Sequence, residues 1–338
     1  MRGLGLPCTH RGAWRNAPAC RGQGLRSRSF NLKSEIQNLK MIAYIIYLLL
    51  RVFSFFINLL PEGFALWLGR QLGRMVFYLD RGHRKVALEN LHTAFGEEKP
   101  ERELYAIAQR AFQHLGMMVI EFFRIPGLDR EDFKKKVSVE GLDEALRLLE
   151  KKKGALLLLG HFGNWELMGL MSKVVGNPII VIAKPMKKNK WVDQFITKIR
   201  NAAGLEVISN VMASRKVMQA LSQNRVVGIL IDQRAKRSEG IWADFFGRKA
   251  PTTPGLAVLA MKTGAPVLPV FMVRNGFQKH RLLIKEPLEL IRTGNIKKDV
   301  ETNTQLFNQT LESMIRQYPD QWFWVHQRWE RKKKVHHR

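Results

Sequence analysis

Residues 154–170 read GALLLLGHFGNWELMGL. The apolar run Ala155–Leu159 is bounded by Gly154 and Gly160, is short for a helix, and suits a strand covered on both faces. It leads into His161. Phe162, Gly163 and Asn164 then form a tight connection, and a helix is predicted to begin near Trp165. Outward from this stretch, Ile179–Ala183, Val226–Ile231 and Val267–Met272 are further short apolar runs. They alternate with helix-patterned segments near Trp165–Val175, Trp191–Ala203, Ser214–Gln223 and Gly255–Thr263. Such alternation marks βαβ units, so the predicted fold class is α/β, a mostly parallel central sheet with helices on both faces. No internal repeat interrupts it.

Upstream, Leu104, Ile107, Ala108, Ala111, Leu115, Met118 and Phe122 recur at three- and four-residue intervals and predict an amphipathic helix over Glu101–Phe123. Before it, Ile42–Leu60 is about 19 residues long, near the length that crosses a hydrocarbon core. Its single charge is Arg51. A membrane-anchor helix over 41–60 is expected. A charge near its middle is costly in lipid, so a helix lying in the interface stays open, as does a buried core helix. Pro61 and Gly63 end it without a cleavage-like site, which argues against a removed signal peptide. Basic residues on both flanks, with one span, favour a cytoplasmic catalytic body. That body is expected over 61–330, followed by a basic tail, 331–338.

The 338 residues carry 56 Lys and Arg against 29 Asp and Glu, a formal charge of +27. Residues 1–40 hold eight of those cations and one acid, so most of the excess belongs to the body. Polyanionic partners are implied: phospholipid headgroups, phosphorylated lipids, an acidic carrier or nucleic acid. With 46% apolar residues, global disorder is excluded. Residues 1–40 themselves are Gly-, Arg- and Ser-rich and are expected to be disordered, a targeting peptide, or a non-native extension before a physiological start at Met41. Both cysteines, Cys8 and Cys20, lie there. The body therefore has no disulfide, zinc-thiolate site or cysteine nucleophile.

Ligands in open α/β sheets bind beyond the carboxyl ends of strands, and His161 is predicted to stand at one. Glu166 follows at the first helical turn, where the macrodipole favours its charged form. A carboxylate bonded to one imidazole nitrogen sets the tautomer and raises the basicity of the other nitrogen, which can take a proton from a hydroxyl. The expected dyad is thus His161 as base and Glu166 as its partner. Loop and helix-start N–H groups are expected to stabilise an oxyanion. No G-x-S-x-G, G-x-x-x-x-G-K-[ST] or H-E-x-x-H occurs, which weakens serine hydrolase, nucleotide triphosphatase and zinc protease readings. The Gly22–Gly24 pair follows no strand and carries nothing.

HFGNWE together with residues 231–271, IDQRAKRSEGIWADFFGRKAPTTPGLAVLAMKTGAPVLPVF, resembles the bacterial lipid A biosynthesis late acyltransferases. The likeness extends from Met41 nearly to the end and includes NLHTAF (Asn90–Phe95) and WFWVHQRW (Trp322–Trp329). The H-x-x-x-x-[DE] motif is shared with wider glycerolipid acyltransferases and so specifies chemistry better than substrate. The resemblance implies an acyl carrier protein thioester as the usual donor, with acyl-CoA as the alternative, a Kdo-bearing lipid A precursor as anionic glycolipid acceptor, and work among inner-membrane lipids at the cytoplasmic face. It implies His161 as general base with Glu166 as partner, direct transfer without an acyl-enzyme, and neither metal nor cofactor. Asp232 and Gln233 match the family's D-Q pair, and Lys184 stands where some members carry arginine.

Asn164, Lys184, Asp232, Gln233, Arg234, Arg248 and Thr253 are the substrate-binding candidates. Arg234, Lys236, Arg237, Arg248 and Lys249 either hold acceptor phosphates or the acidic carrier, or form an ordinary solvated basic face. Trp242, Phe245 and Phe246 either line an acyl channel or pack in the core. Thr252 and Thr253 are read first as caps of the next helix. Three rivals remain: the same chemistry on a lysophospholipid or phosphatidylinositol mannoside, a non-catalytic membrane-binding protein, and a nucleic-acid binder. The last lacks a base-reading motif, and the apolar first helix argues for membrane and no nucleic acid.

Overall fold

The helical half of the chain is set by glycines and caps. A computed structural model describes residues 23–187 and 189–330, with side chains from residue 37 onward. Helices α1 (Gln23–Leu59), α2 (Glu62–Leu79), α3 (Arg81–Phe95) and α4 (Glu101–Arg124) come first. Pro61 separates α1 from α2, and the Asp80 carboxylate accepts from the His83 N–H to start α3. α4 buries Leu104, Ile107, Ala108, Ala111 and Met118 of the predicted stripe, with Leu115 and Phe122 half-buried. It crosses α2 in backbone contact: a Cβ on Gly73 would lie 2.1 Å from the Phe112 carbonyl oxygen, and one on Gly116 2.1 Å from that of Gly69.

The remaining elements are α5 (Arg130–Lys136), β1 (Val137–Glu140), α6 (Leu142–Glu150), β2 (Ala155–Leu159), a 3-10 turn (Leu167–Leu170), α7 (Met171–Val175), β3 (Ile179–Ala183), α8 (Lys190–Ala202), β4 (Leu205–Ser209), α9 (Ala213–Ser222), β5 (Val226–Leu230), β6 (Ile241–Phe245), β7 (Arg248–Thr252), α10 (Gly255–Thr263), β8 (Val267–Arg274), β9 (His280–Ile284) and α11 (Ile296–Gln317). Seven strands form one sheet in the order β1-β9-β8-β2-β5-β3-β4. β8, β2, β5, β3 and β4 run parallel, and β9 with β1 runs against them. The sheet is mostly parallel, as the apolar runs predicted.

Alternation along β2 explains the two covering layers. Leu156 and Leu158 enter one apolar cluster with Val217, Leu256, Leu259 and Leu311. Ala155 and Leu159 enter the other with Phe133, Leu148, Leu170 and Ile199. Helices therefore cover both faces, which is why β2 is apolar at every position.

Two expectations change. Gln23–Lys40 is helical and continuous with the apolar segment rather than disordered, while residues 1–22 and the basic tail 331–338 lie outside the described residues. The basic, aromatic stretch after Arg237 holds a hairpin, β6–β7, paired antiparallel from Ile241↔Thr252 to Phe245↔Arg248. Its two-residue turn has positive φ at both Phe246 (53°) and Gly247 (70°), the geometry that suits strand twist.

Because the α2–α4 contact has no room for a side chain, Gly116→Val is expected to lower stability by about 1–3 kcal/mol through overpacking. Denaturation of the detergent-solubilised protein checks this.

Candidate active site

The sheet register decides which side chains meet at the carboxyl edge. Leu159 of β2 lies opposite Leu230 of β5 in parallel pairing, so the residues two places on, His161 and Asp232, emerge side by side. Asp232 is buried at 3% exposure and accepts three N–H groups. The His161 backbone N–H donates to Oδ2 at 2.7 Å, the Trp322 indole to the same oxygen at 2.8 Å, and the His161 ring Nδ1 to Oδ1 at 2.8 Å.

These contacts fix both charge and tautomer. Burial pushes the Asp232 carboxyl up, but the His161 charge and the three donors pull it lower overall, so it stays ionised. An ionised carboxylate only accepts, so Nδ1 carries the proton and Nε2 is the free base. Nε2 faces the Gln233 amide at 3.3 Å. Burial likewise lowers the imidazole's basicity, yet Asp232, by charge and hydrogen bond, and Glu166, by charge, bring it above its ordinary value.

The carboxylate that orients His161 is therefore Asp232, not Glu166. Glu166 sits at the start of the 3-10 turn and is gripped by Arg200 of α8, Nε to Oε2 at 2.9 Å and Nη2 to Oε1 at 2.5 Å. The turn between them explains the divergence. Gly163 has φ +57°, and a Cβ there would fall 1.6 Å from the Met272 carbonyl oxygen. The reversal sends Glu166 toward α8 while His161 stays over β5. The loop amides are also committed: Gly163 N–H donates to the Gln321 carbonyl, Asn164 N–H to Met272 and Leu167 N–H to the Asn164 side chain. With His161 N–H on Asp232, none of these four is free for the oxyanion role expected of the loop.

His161, Glu166, Arg200 and Gln233 line one cavity of about 580 Å³ beyond the ends of β2, β5, β3 and β4. The chain leaves β2 toward the β4 edge but leaves β5 toward β8, so the connections part and open a crevice there. Lys184 and Met186 stand at the cavity's exposed rim. Trp165 and Phe323 flank the imidazole, with ring centroids 5.1 and 5.8 Å away.

The sequence matches the family described as bacterial lipid A biosynthesis acyltransferase over residues 32–331. The chain belongs to that family. It is an O-acyltransferase, and its relatives include a lipid A biosynthesis palmitoleoyltransferase of Escherichia coli K12, 27% identical over 277 residues, 80% of this chain and 86% of that one. A lipid A biosynthesis lauroyltransferase of the same organism is 25% identical over 272 residues, 80% and 87% of the two chains. A phosphatidylinositol mannoside acyltransferase of Mycolicibacterium smegmatis is 27% identical over 213 residues, 62% and 67%.

In this lipid A acyltransferase family member the other candidates divide. Lys184 and Gln233 reach the His161 cavity. Asn164 is fully buried and structural: its amide donates to Glu121 at 2.7 Å, and Glu121 is in turn paired with Arg274. The basic cluster is held by the protein's own groups. Lys236 pairs with Glu239, Arg237 with Glu330 and Lys249 with Asp244, while Arg248 donates to the Glu330 carbonyl. Arg234 is exposed and does not line the cavity. Thr253 accepts from the Gly255 N–H at the start of α10, and buried Thr252 accepts from Arg328 and Asn308. Phe245 and Phe246 are core residues, whereas Trp242 is exposed beneath Arg237. Sequence reasoning did not name Arg200 or give Trp322 a role. Only the Trp-rich close hinted at the latter.

A raised imidazole must lose its proton before it can act, so kcat/KM is expected to rise with pH through a value above the ordinary 6.5. Asp232→Asn keeps an acceptor for two of the three donors but presents NH2 to Nδ1. That swaps the tautomer and protonates Nε2. The variant should lose roughly 10²–10⁴ in rate, and its residual activity should show the acid limb at lower pH. A pH–rate series on both proteins checks this.

Proposed function

We propose that this acyltransferase moves a fatty acyl group from an acyl carrier protein thioester to a hydroxyl of a Kdo-bearing lipid A precursor. The observation that carries the mechanism is the placement of the His161 ring, with Nδ1 on the Asp232 carboxylate and Nε2 beside Gln233 at the cavity. Nε2 takes the proton of the acceptor hydroxyl as its oxygen attacks the thioester carbonyl. The C–S bond then breaks, and the departing thiolate takes the proton back from the imidazolium. Transfer is direct. The ring of His161 bonds to Asp232 and Gln233, and among the described residues no serine, threonine or cysteine side chain lies within hydrogen-bonding reach of it to form an acyl-enzyme.

The tetrahedral oxyanion needs a donor, and the N–H groups of His161, Gly163, Asn164 and Leu167 are occupied. Arg200 supplies one in this reading: Nε and Nη2 are fixed on Glu166, which leaves Nη1 available in the same cavity. Glu166 acts as a positioning residue for Arg200, and its charge also supports the imidazolium. The donor carrier and the acceptor's phosphates, both anionic, suit the net charge of the body. In this reading the work is done at the cytoplasmic face of the inner membrane, in keeping with the basic residues on both flanks of the apolar helix.

A second acceptor has its own support in the mycobacterial relatives, which are named for a phosphatidylinositol mannoside. The chemistry would be unchanged. Lipid mass spectrometry of cells lacking the gene separates the readings: a missing acyl chain on lipid A supports the first, on mannosylated phosphatidylinositol the second, and an unchanged lipid profile refutes both.

His161→Ala is expected to abolish transfer while membrane association persists, and full activity would sink the mechanism. Arg200→Ala should cost roughly 10²–10³ in kcat, the scale of one lost oxyanion donor, with Glu166→Gln falling between it and the parent. Single-turnover acyl transfer measures both.

A further inference from the structure

The apolar part of α1 is long enough to cross a membrane, from Gln37 to Leu59. Its contacts argue against that placement. Ala43, Leu50 and Ile57, seven residues apart, turn toward the body, with Ala43 and Ile57 buried. Tyr44 and Tyr47 pack on Trp191 of α8 at 5.3 and 5.8 Å, and Phe53 packs on Phe123 of α4 at 5.3 Å. Arg124 donates to the carbonyls of Ile57 and Leu60, and Asn58 to that of Phe123. From Tyr44 to Leu60 the helix is thus fastened along roughly 24 Å, at about 1.5 Å per residue. A hydrocarbon core is about 30 Å thick.

A helix fastened over that length carries its partners wherever it goes. Set upright across a bilayer, α1 would draw Lys190, Asp193 and Lys198 of α8, and the Glu166–Arg200 pair, to hydrocarbon depth. Charges at that depth are strongly disfavoured. Laid flat, α1 meets lipid with the face opposite its seam, Met41, Ile45, Leu48, Val52, Phe55 and Leu59, all exposed and all apolar. α2 adds exposed Phe64, Trp67, Met75 and Leu79. Arg51 lies on the flank between seam and lipid face, near the Tyr47 hydroxyl at 3.4 Å, where it can reach headgroups.

The rim of the cavity continues this surface. Met186, which lines the cavity, Val211 and Met212, which follow its lining residue Asn210, and Trp191 at the start of α8 are exposed large apolar side chains. Around them Lys184, Lys187, Lys190, Arg215 and Lys216 are exposed and have no carboxylate partner among the described residues. Apolar tips ringed by unpaired cations complement an anionic lipid interface. We propose that α1 lies along a single leaflet without crossing it, and that the rim at Met186, Trp191, Val211 and Met212 dips into the same leaflet, so that the His161 cavity opens directly onto lipid. The placement does not depend on which lipid is the acceptor.

The two cysteines make the test, because Cys8 and Cys20 both precede the apolar stretch and no other thiol exists. In right-side-out and inverted membrane vesicles from cells making the full chain, a membrane-impermeant maleimide reports the side of the thiols, and trypsin the side of the body. Both reagents should reach their targets in the same vesicle orientation. Thiols and body on opposite faces would overturn the in-plane helix. For the rim, Val211→Asp with Met212→Asp should weaken binding of the purified protein to phosphatidylglycerol-containing vesicles at least fivefold in sedimentation. Both side chains are exposed, and Met212 has φ +55°, a backbone conformation that aspartate tolerates, so neither substitution buries a charge or adds backbone strain. Unchanged binding would remove the rim from the membrane surface. Acyl transfer is not read in either experiment, so a failure here is distinct from a failure of the catalytic reading.

Discussion

One buried carboxylate holds the site together. Asp232 is removed from water, which on its own would penalise its charge heavily, and it stays charged only because three N–H groups converge on it. They come from two places far apart in sequence, the end of β2 and the closing tryptophan segment, onto the end of β5. Loss of any one leaves a buried charge undercompensated. The cost of burial therefore acts as a constraint: the imidazole reaches its working tautomer only when the strands are in register and the C-terminal segment has closed over them. The segment makes this closure with backbone as well, since Phe323 N–H donates to the His161 carbonyl and Gly163 N–H to Gln321.

That dependence explains which parts were legible in the sequence. β2 and β3 coincide with their predicted runs, because a strand covered on both faces is apolar throughout, and a run of leucines or isoleucines between turn residues has few other readings; α10 coincides too, its buried Leu256, Ala257, Leu259 and Ala260 keeping helical spacing. β1 (VSVE), β4 (LEVIS) and β9 (HRLLI) were missed because they carry polar residues, two of them at sheet edges. The β6–β7 turn was missed because its first positive-φ position holds Phe246 rather than asparagine or glycine. Packing against Phe95 and Trp324 holds that conformation.

At the site, His161 was legible from strand, glycines and turn, but its partner was not. Glu166 was chosen because it is near in sequence, and near in sequence is what a motif records. The nearer carboxylate in space is set by strand pairing, which a single sequence does not display. Asp232 was noticed only as part of a shared pair of residues. Arg200 gave no signal at all, being one cation among 56 Lys and Arg. Net charge could not say which cations are available. Ion pairing sorts them: those after Arg234 are mostly bound to the protein's own carboxylates, and those on the rim of the cavity are not.

The opposite side of the HFGNWE turn is held by a second polar cluster with different titration behaviour. Asn164 hangs from Glu121, and Glu121 is neutralised by Arg274. Two histidines stand beside this pair, and burial next to the Arg274 cation keeps both neutral, pushing His280 down to about 2 and His114 well below its ordinary value. A proton on either would add a second buried cation to a pair already balanced. The two histidines therefore stay neutral through the range in which His161 exchanges its proton. A catalytic imidazole raised by one carboxylate and a structural pair insulated by two silent imidazoles are the same rule, the cost of an unmatched buried charge, applied with opposite outcomes on the two sides of one loop.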